Sequence, residues 1–290
     1  GGNAGGTGDD AESLTGSLTF KAGTDALDLS TLTLSTGATG LTTLSGNTVV
    51  TTYDASSDVL IGYVDGTVSS DPANQVFTVS LTSITSAGAN YALSLKQPVD
   101  HAAGLDENNT TALTVNVSLK DNDGDEATTS FTLTIDDDTP IASDYDHAAT
   151  VIEGSGSTEL SADAATTLGI NAGADGLEGT LQAISFTNQG TTGGALSINA
   201  NGALVYVAPS SVNNSSGDVT ETFEYTVTDQ DGDTVTKSVT VKVGDGANPT
   251  ITGATNVLAD EDELTGGNAG GTGDDAESLT GSLTFKAGTD

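Results

Sequence analysis

Carboxylates at short, regular spacing are the chemistry this chain offers. Asp121-Asn122-Asp123-Gly124-Asp125 and Asp229-Gln230-Asp231-Gly232-Asp233 are two copies of one acidic pattern. Calcium takes about six to eight oxygens at roughly 2.3–2.6 Å, drawn from carboxylates and carbonyls. A D-x-D-G-D turn supplies several carboxylates from a few residues, and its glycine permits a tight hairpin. Each copy is followed by more acid and a proline: Asp136, Asp137 and Asp138 before Pro140, and Asp245 before Pro249. Asp100 and Asp106 lie in the loop ahead of the first copy, and Asp260, Glu261 and Asp262 form a further run. These fifteen carboxylates are the expected Ca²⁺ ligands. The pattern is not an EF-hand, whose loop needs Gly at position six and Glu at twelve. Nor is it a β-roll, because Gly5-Gly6-Thr7-Gly8-Asp9-Asp10 fits GGxGxD once where consecutive copies are needed. Asp and Gly also favour plain solvated turns. Two copies in matching positions, each with its own acidic linker, weigh toward metal.

Other chemistry is sparse. His101 and His147 each sit in an Asp-His-Ala-Ala stretch and read as loop residues, since zinc needs several soft ligands close together. There is no Cys nucleophile and no G-x-S-x-G. The 41 acids offer too many carboxylate pairs for pair-counting to argue glycoside hydrolysis. The lack of Trp and the 4% aromatic content argue against a sugar platform. No enzyme is expected.

The formal net charge is −35, from 41 acidic residues and six lysines. Such a surface repels nucleic acid and anionic membrane. It also repels itself, so a compact state needs counter-cations. Without Cys no disulfide can staple the fold, and bound metal is the natural substitute in an extracellular protein. No apolar run approaches the ~18–20 residues that span a membrane, and Gly1–Gly6 is no signal peptide, so any export signal is expected to lie elsewhere.

The elements that would hold these acids are strands. Phe77, Val79 and Leu81 alternate with Thr and Ser, as do Leu113, Val115, Val117 and Leu119, then Phe131, Leu133 and Ile135. Phe223, Tyr225 and Val227, then Val239, Val241 and Val243, do the same later. Period-two alternation rich in Thr and Val marks half-buried strands. Gly, Asn and Asp clusters supply turns. Residues 159–166 are the best candidate for a helix. The expected fold is all-β: tandem Ig-like β-sandwich domains in a linear array.

Repeats set the expected boundaries. Residues 266–290 copy residues 1–25 letter for letter, an offset of 265. The chain therefore reads as a slice of a tandem array, whose use is to span distance or multiply contacts. A weaker repeat lies inside. Phe20-Lys21-Ala22-Gly23-Thr24-Asp25 resembles Ile170-Asn171-Ala172-Gly173-Ala174-Asp175, and the two acidic hairpins correspond. Strand, acidic turn, strand, acid and Pro mark a domain end. The expected domains are 1–140, lacking its opening strand; 141–249; and 250–290, which starts the next copy with an apolar stretch from Ile251 to Leu258. In an Ig-like sandwich the hairpin before the last strand sits at the N-terminal end. Asp229, Asp231 and Asp233 should then face the linker Asp136–Asp138, with the Asp100–Asp106 loop nearby.

The stretches 91–101 (YALSLKQPVDH) and 119–140 (LKDNDGDEATTSFTLTIDDDTP) resemble the tandem modules of giant type I-secreted RTX adhesins of Gram-negative bacteria. DQDGDTVTKSVTVKV (229–243) is similar to their VCBS- and cadherin-like modules. The resemblance implies Ca²⁺-bound sandwich extenders that carry ligand-binding domains away from the cell, for attachment or biofilm formation. The implied partners are neighbouring repeats of the same chain, with no nucleic acid and no membrane insertion. Head-to-tail self-association through 250–290 is a further expectation. The competing function is a carbohydrate- or protein-binding module.

Overall fold

The computed structural model describes residues 13–102, 110–190, 192–257, 264–268 and 280–288. Asp106, Asp260, Glu261 and Asp262 lie outside them. The chain divides into two compact units. The first comprises Gly1–Ser143, Ala165–Ile184 and Thr226–Lys237; the second comprises Asp144–Ala164, Ser185–Tyr225 and Ser238–Asp290. The loop after residue 164 and the second acidic hairpin thus belong with the first unit.

The first sandwich is built from β1 (Ser13–Thr19), β2 (Leu27–Thr36), β3 (Val49–Asp54), β4 (Val59–Val64), β5 (Gln75–Thr85), β6 (Gly88–Leu95), β7 (Thr110–Asp121) and β8 (Glu126–Asp136). One sheet runs β1-β6-β5-β4-β3 and the other β2-β7-β8. The alternating apolar residues of both sheets form one core: Leu34 from β2, Leu60 from β4, Phe77 and Val79 from β5, Val115 and Val117 from β7, and Leu133 and Ile135 from β8. Burying each such side chain contributes about 1.5–3 kcal/mol. Phe131 lies at the margin and stacks on Tyr91, ring centroids 4.1 Å apart.

The later strands are β9 (Tyr145–Ile152), β10 (Ser157–Ser161), β11 (Phe186–Asn188), β12 (Ala195–Ile198), β13 (Leu204–Val207), β14 (Val219–Thr228) and β15 (Thr234–Gly244), with one turn of helix, α1 (Ala164–Thr167). They form the sheets β10-β13-β12 and β11-β14-β15-β9. Tyr206 of β13 meets Phe223 of β14 edge-on at 5.9 Å, which locks one sheet to the other. The expected helix at 159–166 is therefore mostly wrong. Thr158 and Glu159 pair with Tyr206 and Val205, and Leu160 is buried. Ladder pairing outweighs helix propensity there, and only α1 is helical. Beyond residue 249, β16 (Thr250–Ala254) pairs antiparallel with β17 (Leu283–Lys286).

One pairing positions the acidic hairpin. β15 runs parallel to β9, and Val239 lies beside Tyr145. The hairpin that feeds β15 therefore sits at the end where β9 begins, beside the residues that follow Pro140.

Candidate metal centre

The two acidic hairpins fold alike. Asp121 Oδ1 accepts from Gly124 N (3.1 Å) and Asp125 N (2.9 Å), and Asp229 Oδ1 accepts from Gly232 N (3.1 Å) and Asp233 N (2.7 Å). Gly124 (φ 99°) and Gly232 (φ 104°) take backbone conformations that L side chains rarely adopt. In each hairpin the first Asp spends one oxygen on the turn and keeps the other.

The surroundings differ. Around the second hairpin, Asp137 (5% exposed), Asp175 (3%), Asp229 (0%) and Asp233 (2%) are all buried. One ligand atom from each of Asp175, Asp229 and Asp231 lies within 4.8 Å of the others, and so do atoms of His101, Asp137 and Asp231. Two oxygens on one Ca²⁺ can be about 4.8 Å apart, twice a Ca–O distance of about 2.4 Å. Asp231 belongs to both groups. Asp137 Oδ2, Asp229 Oδ2 and Asp231 Oδ1 are buried and accept no hydrogen bond. Buried charges without partners are strongly disfavoured, so this donor set fits a hard divalent cation.

Electrostatics report the same strain. Burial is the main cause that pushes the Asp137 carboxyl up to about 7, with Asp231 and Asp233 adding to it and His101 opposing it. Burial also pushes Asp175 up to about 7, with Asp231, Asp137 and Asp138 adding to it. Asp229 rises to about 8, from burial and then its contact with Asp231.

Three segments are clamped together to make the site. Ile141 and Asn171 exchange backbone bonds of 2.8 and 3.0 Å. Asp138 accepts from Ala174 N, and a Cβ on Gly173 would lie 2.5 Å from Asp138 Oδ2. Glu178 N donates to Thr228 O at 2.9 Å. His101 is buried, with Nδ1 3.1 Å from Val99 O and 3.3 Å from Asp137 Oδ1, and Nε2 3.3 Å from Ile135 O. Both ring nitrogens face oxygens, so the ring is placed to donate rather than to ligate.

Of the linker Asp136–Asp138 expected to face the second hairpin, Asp137 is the residue whose carboxyl lies against Asp231 and Asp233. Asp138 grips the 173–174 turn. Asp100 is a neighbour only, bonded to Thr42 Oγ1 at 3.0 Å. Asp136 is exposed at the end of β8. Asp245 is exposed, lines a shallow pocket with Ser211–Ser215, and joins neither group. Asp121 and Asp123 cluster with Asp25 at the surface, without Asp125. There the contact between the Asp121 and Asp123 carboxyls lowers that of Asp121 and raises that of Asp123.

Sequence reasoning missed Asp175 and took His101 for a plain loop residue. A signal for Asp175 existed. Ala22-Gly23-Thr24-Asp25 corresponds to Ala172-Gly173-Ala174-Asp175, and each of those Asp residues joins its own D-x-D-G-D hairpin. Nothing local marked His101, which is recruited across more than a hundred residues by Asp231.

Two other buried carboxylates are satisfied by protein. Glu221 accepts from Tyr206 Oη, Thr192 Oγ1 and Gly194 N (3.1 Å), and Glu153 accepts from Val212 N and Gly246 N (3.2 Å). They are structural.

Residues 136–242 match the family model of the bacterial Ig domain, and residues 3–134 match a domain of unknown function (DUF5801). No curated protein matches the chain. Among solved structures, the chain is similar to the protocadherin γB4 extracellular domain (12% identity, TM-score 0.28, 83% of this chain and 37% of that one). It is also similar to cadherin domains 3–6 of protocadherin γB2 (11%, 0.27, 87% and 54%) and to the eight N-terminal Ig domains of Down syndrome cell adhesion molecule (12%, 0.22, 68% and 26%). The chain thus spans about a quarter to a half of these structures. Its two packed sheet pairs and the bacterial Ig match define an all-β, Ig-like sandwich protein. No helix among the described residues is long and apolar enough to cross a membrane.

Proposed function

We propose that this chain is a calcium-rigidified structural extender of a bacterial cell-surface adhesin, one that projects ligand-binding domains for attachment or biofilm formation. It works by geometry rather than catalysis, outside the cell, after type I secretion. Its modules are 1–140, 141–249 and the start of a further copy at 250–290. One observation carries the reading: buried carboxylates from the linker, the 171–178 loop and the second hairpin converge, and Asp137 Oδ2, Asp229 Oδ2 and Asp231 Oδ1 among them accept no hydrogen bond. Without cations these groups repel; with Ca²⁺ held by Asp137, Asp175, Asp229, Asp231 and Asp233 the same charges bind the three segments together.

Calorimetric titration of the EDTA-treated full chain with CaCl₂ tests this, paired with thermal melting. Saturable binding with a rise in melting temperature is expected, far larger than with NaCl of equal ionic strength. A melting curve indifferent to EDTA and calcium removes the proposal.

A further inference from the structure

An acid is the one buried residue of a long connection. Residues 169–184 run between α1 and β11, and Asp175 (3% exposed) alone among them is buried. Ile170, Leu177, Leu181 and Ile184 in the same stretch are only half-buried. Aspartate is almost never fully buried without a partner, and here no buried apolar neighbour on the same loop carries it inward. Apolar burial therefore supplies little of the force that holds Asp175 in place.

The carboxylates it faces are fixed by protein groups. Asp229 Oδ1 accepts two backbone N–H groups of its own hairpin. Asp137 Oδ1 accepts from Asp138 N at 2.8 Å and lies 3.3 Å from His101 Nδ1. Asp231 Oδ2 accepts from His101 N at 3.4 Å. The charged groups that act on the Asp175 carboxyl are Asp231, Asp137, Asp138 and Asp233, all of its own sign. Like charges out of water repel strongly.

The backbone around Asp175 is anchored on both sides and hinged between. At one end Asn171 exchanges two bonds with Ile141. At the other, Glu178 N donates to Thr228 O at 2.9 Å and Leu177 bridges Asp229. Between these anchors Ala174 N donates to Asp138 Oδ2. Gly173 (φ 71°) and Gly176 (φ 75°) stand on either side of Asp175, and glycine enters and leaves that left-handed region without a Cβ clash. Linker, loop and hairpin all belong to the first compact unit.

We propose that residues 172–176 are a lid on the metal centre that the bound cation holds shut. This lid rests on the calcium reading above and supplies its moving part. With Ca²⁺ present, Asp175 is drawn onto the ion and the like charges are offset. Without it, the segment swings out about Asn171 and Glu178 and carries Asp175 into water. Ala174 then releases Asp138, so the state of the lid passes to the linker. Opening is local, because the anchors and the hairpin keep their own backbone bonds.

Amide hydrogen exchange of the full chain, resolved by NMR in CaCl₂ and in EDTA, tests this. Ala174 N–H reports the lid. Asp233 N–H, bonded to Asp229 Oδ1 at 2.7 Å, reports the hairpin. Both should be protected in calcium. In EDTA Ala174 should lose its protection while Asp233 keeps its own. Asp175→Asn removes the charge at nearly constant size, so Ala174 should then stay protected in EDTA, with Asp233 showing that the hairpin is still folded. Calorimetry on the same samples separates the lid from the reading beneath it. An absence of calcium binding removes both. Calcium binding with Ala174 equally protected in calcium and EDTA overturns the lid alone. So does an Asp175→Asn chain that opens in EDTA as the parent does, or a parent in which Asp233 loses protection together with Ala174, since the whole centre then unfolds.

Discussion

Asp229 shows what a single side chain does here. Its Oδ1 closes the hairpin through two backbone N–H groups, while its Oδ2 is buried without a partner. Asp229→Asn keeps the turn acceptor and removes the buried charge. The variant should melt higher than the parent in EDTA and gain less from calcium. At 10 mM Ca²⁺ the lost gain is about 1.4–2.7 kcal/mol, if the site binds at about 10⁻³–10⁻⁴ M as extracellular modules do. Equal calcium gains in parent and variant would take Asp229 out of the ligand set. The same residues set a pH dependence. Asp137 and Asp175 at about 7, and Asp229 at about 8, stand above the unfolded value near 3.9. Their folded forms favour protonation, so this stabilisation is full below about pH 4 and is lost as pH rises toward 8. In EDTA the melting temperature should fall from pH 5 to pH 8. In saturating calcium, which binds the ionised forms, that fall should shrink or vanish. A metal-free melt that is flat across this range contradicts the burial of these carboxylates.

At the scale of the element, the hairpins carry a matched pair of tests. Gly124 and Gly232 share a left-handed conformation that a Cβ strains, at about 1–3 kcal/mol each. Gly124→Ala and Gly232→Ala should therefore lower the melting temperature by similar amounts. Only Gly232→Ala should also weaken calcium binding in calorimetry. Its hairpin presents buried carboxylates beside Asp137 and Asp175, whereas Asp121 and Asp123 sit at the surface with Asp25. Equal calcium losses in both variants would place the ion site elsewhere. The second hairpin is deployed by the parallel β9–β15 pair, which brings it to the end where β9 begins.

At the scale of the molecule, a net charge of −35 makes the cation-free chain self-repelling. If the linker after β8 is fixed by ions, small-angle scattering should give a narrow distance distribution in millimolar calcium and a broader one in EDTA. Asp231→Ala should broaden it in calcium while circular dichroism keeps its strand signal. A distribution that is the same in calcium and EDTA would show a linker that needs no ion.

What the amino-acid sequence determined was everything carried by period and spacing. The alternation at Phe77–Leu81, Leu113–Leu119 and Val239–Val243 became strands with those side chains in the core. The two D-x-D-G-D stretches became matching turns, because Asp and Gly need only their near neighbours to form them. At 159–166 the local reading failed, because pairing with β13, some 45 residues away, decided the conformation. Tertiary structure alone decided which carboxylates are buried. It enclosed Asp229 and Asp233 and left Asp123 exposed, though the motifs are nearly identical. It also recruited Asp175 and His101 and left Asp100, Asp136 and Asp245 outside. A strand's period is a property of consecutive residues. A carboxylate's desolvation depends on what the rest of the chain lays over it, and that appears only once distant segments meet.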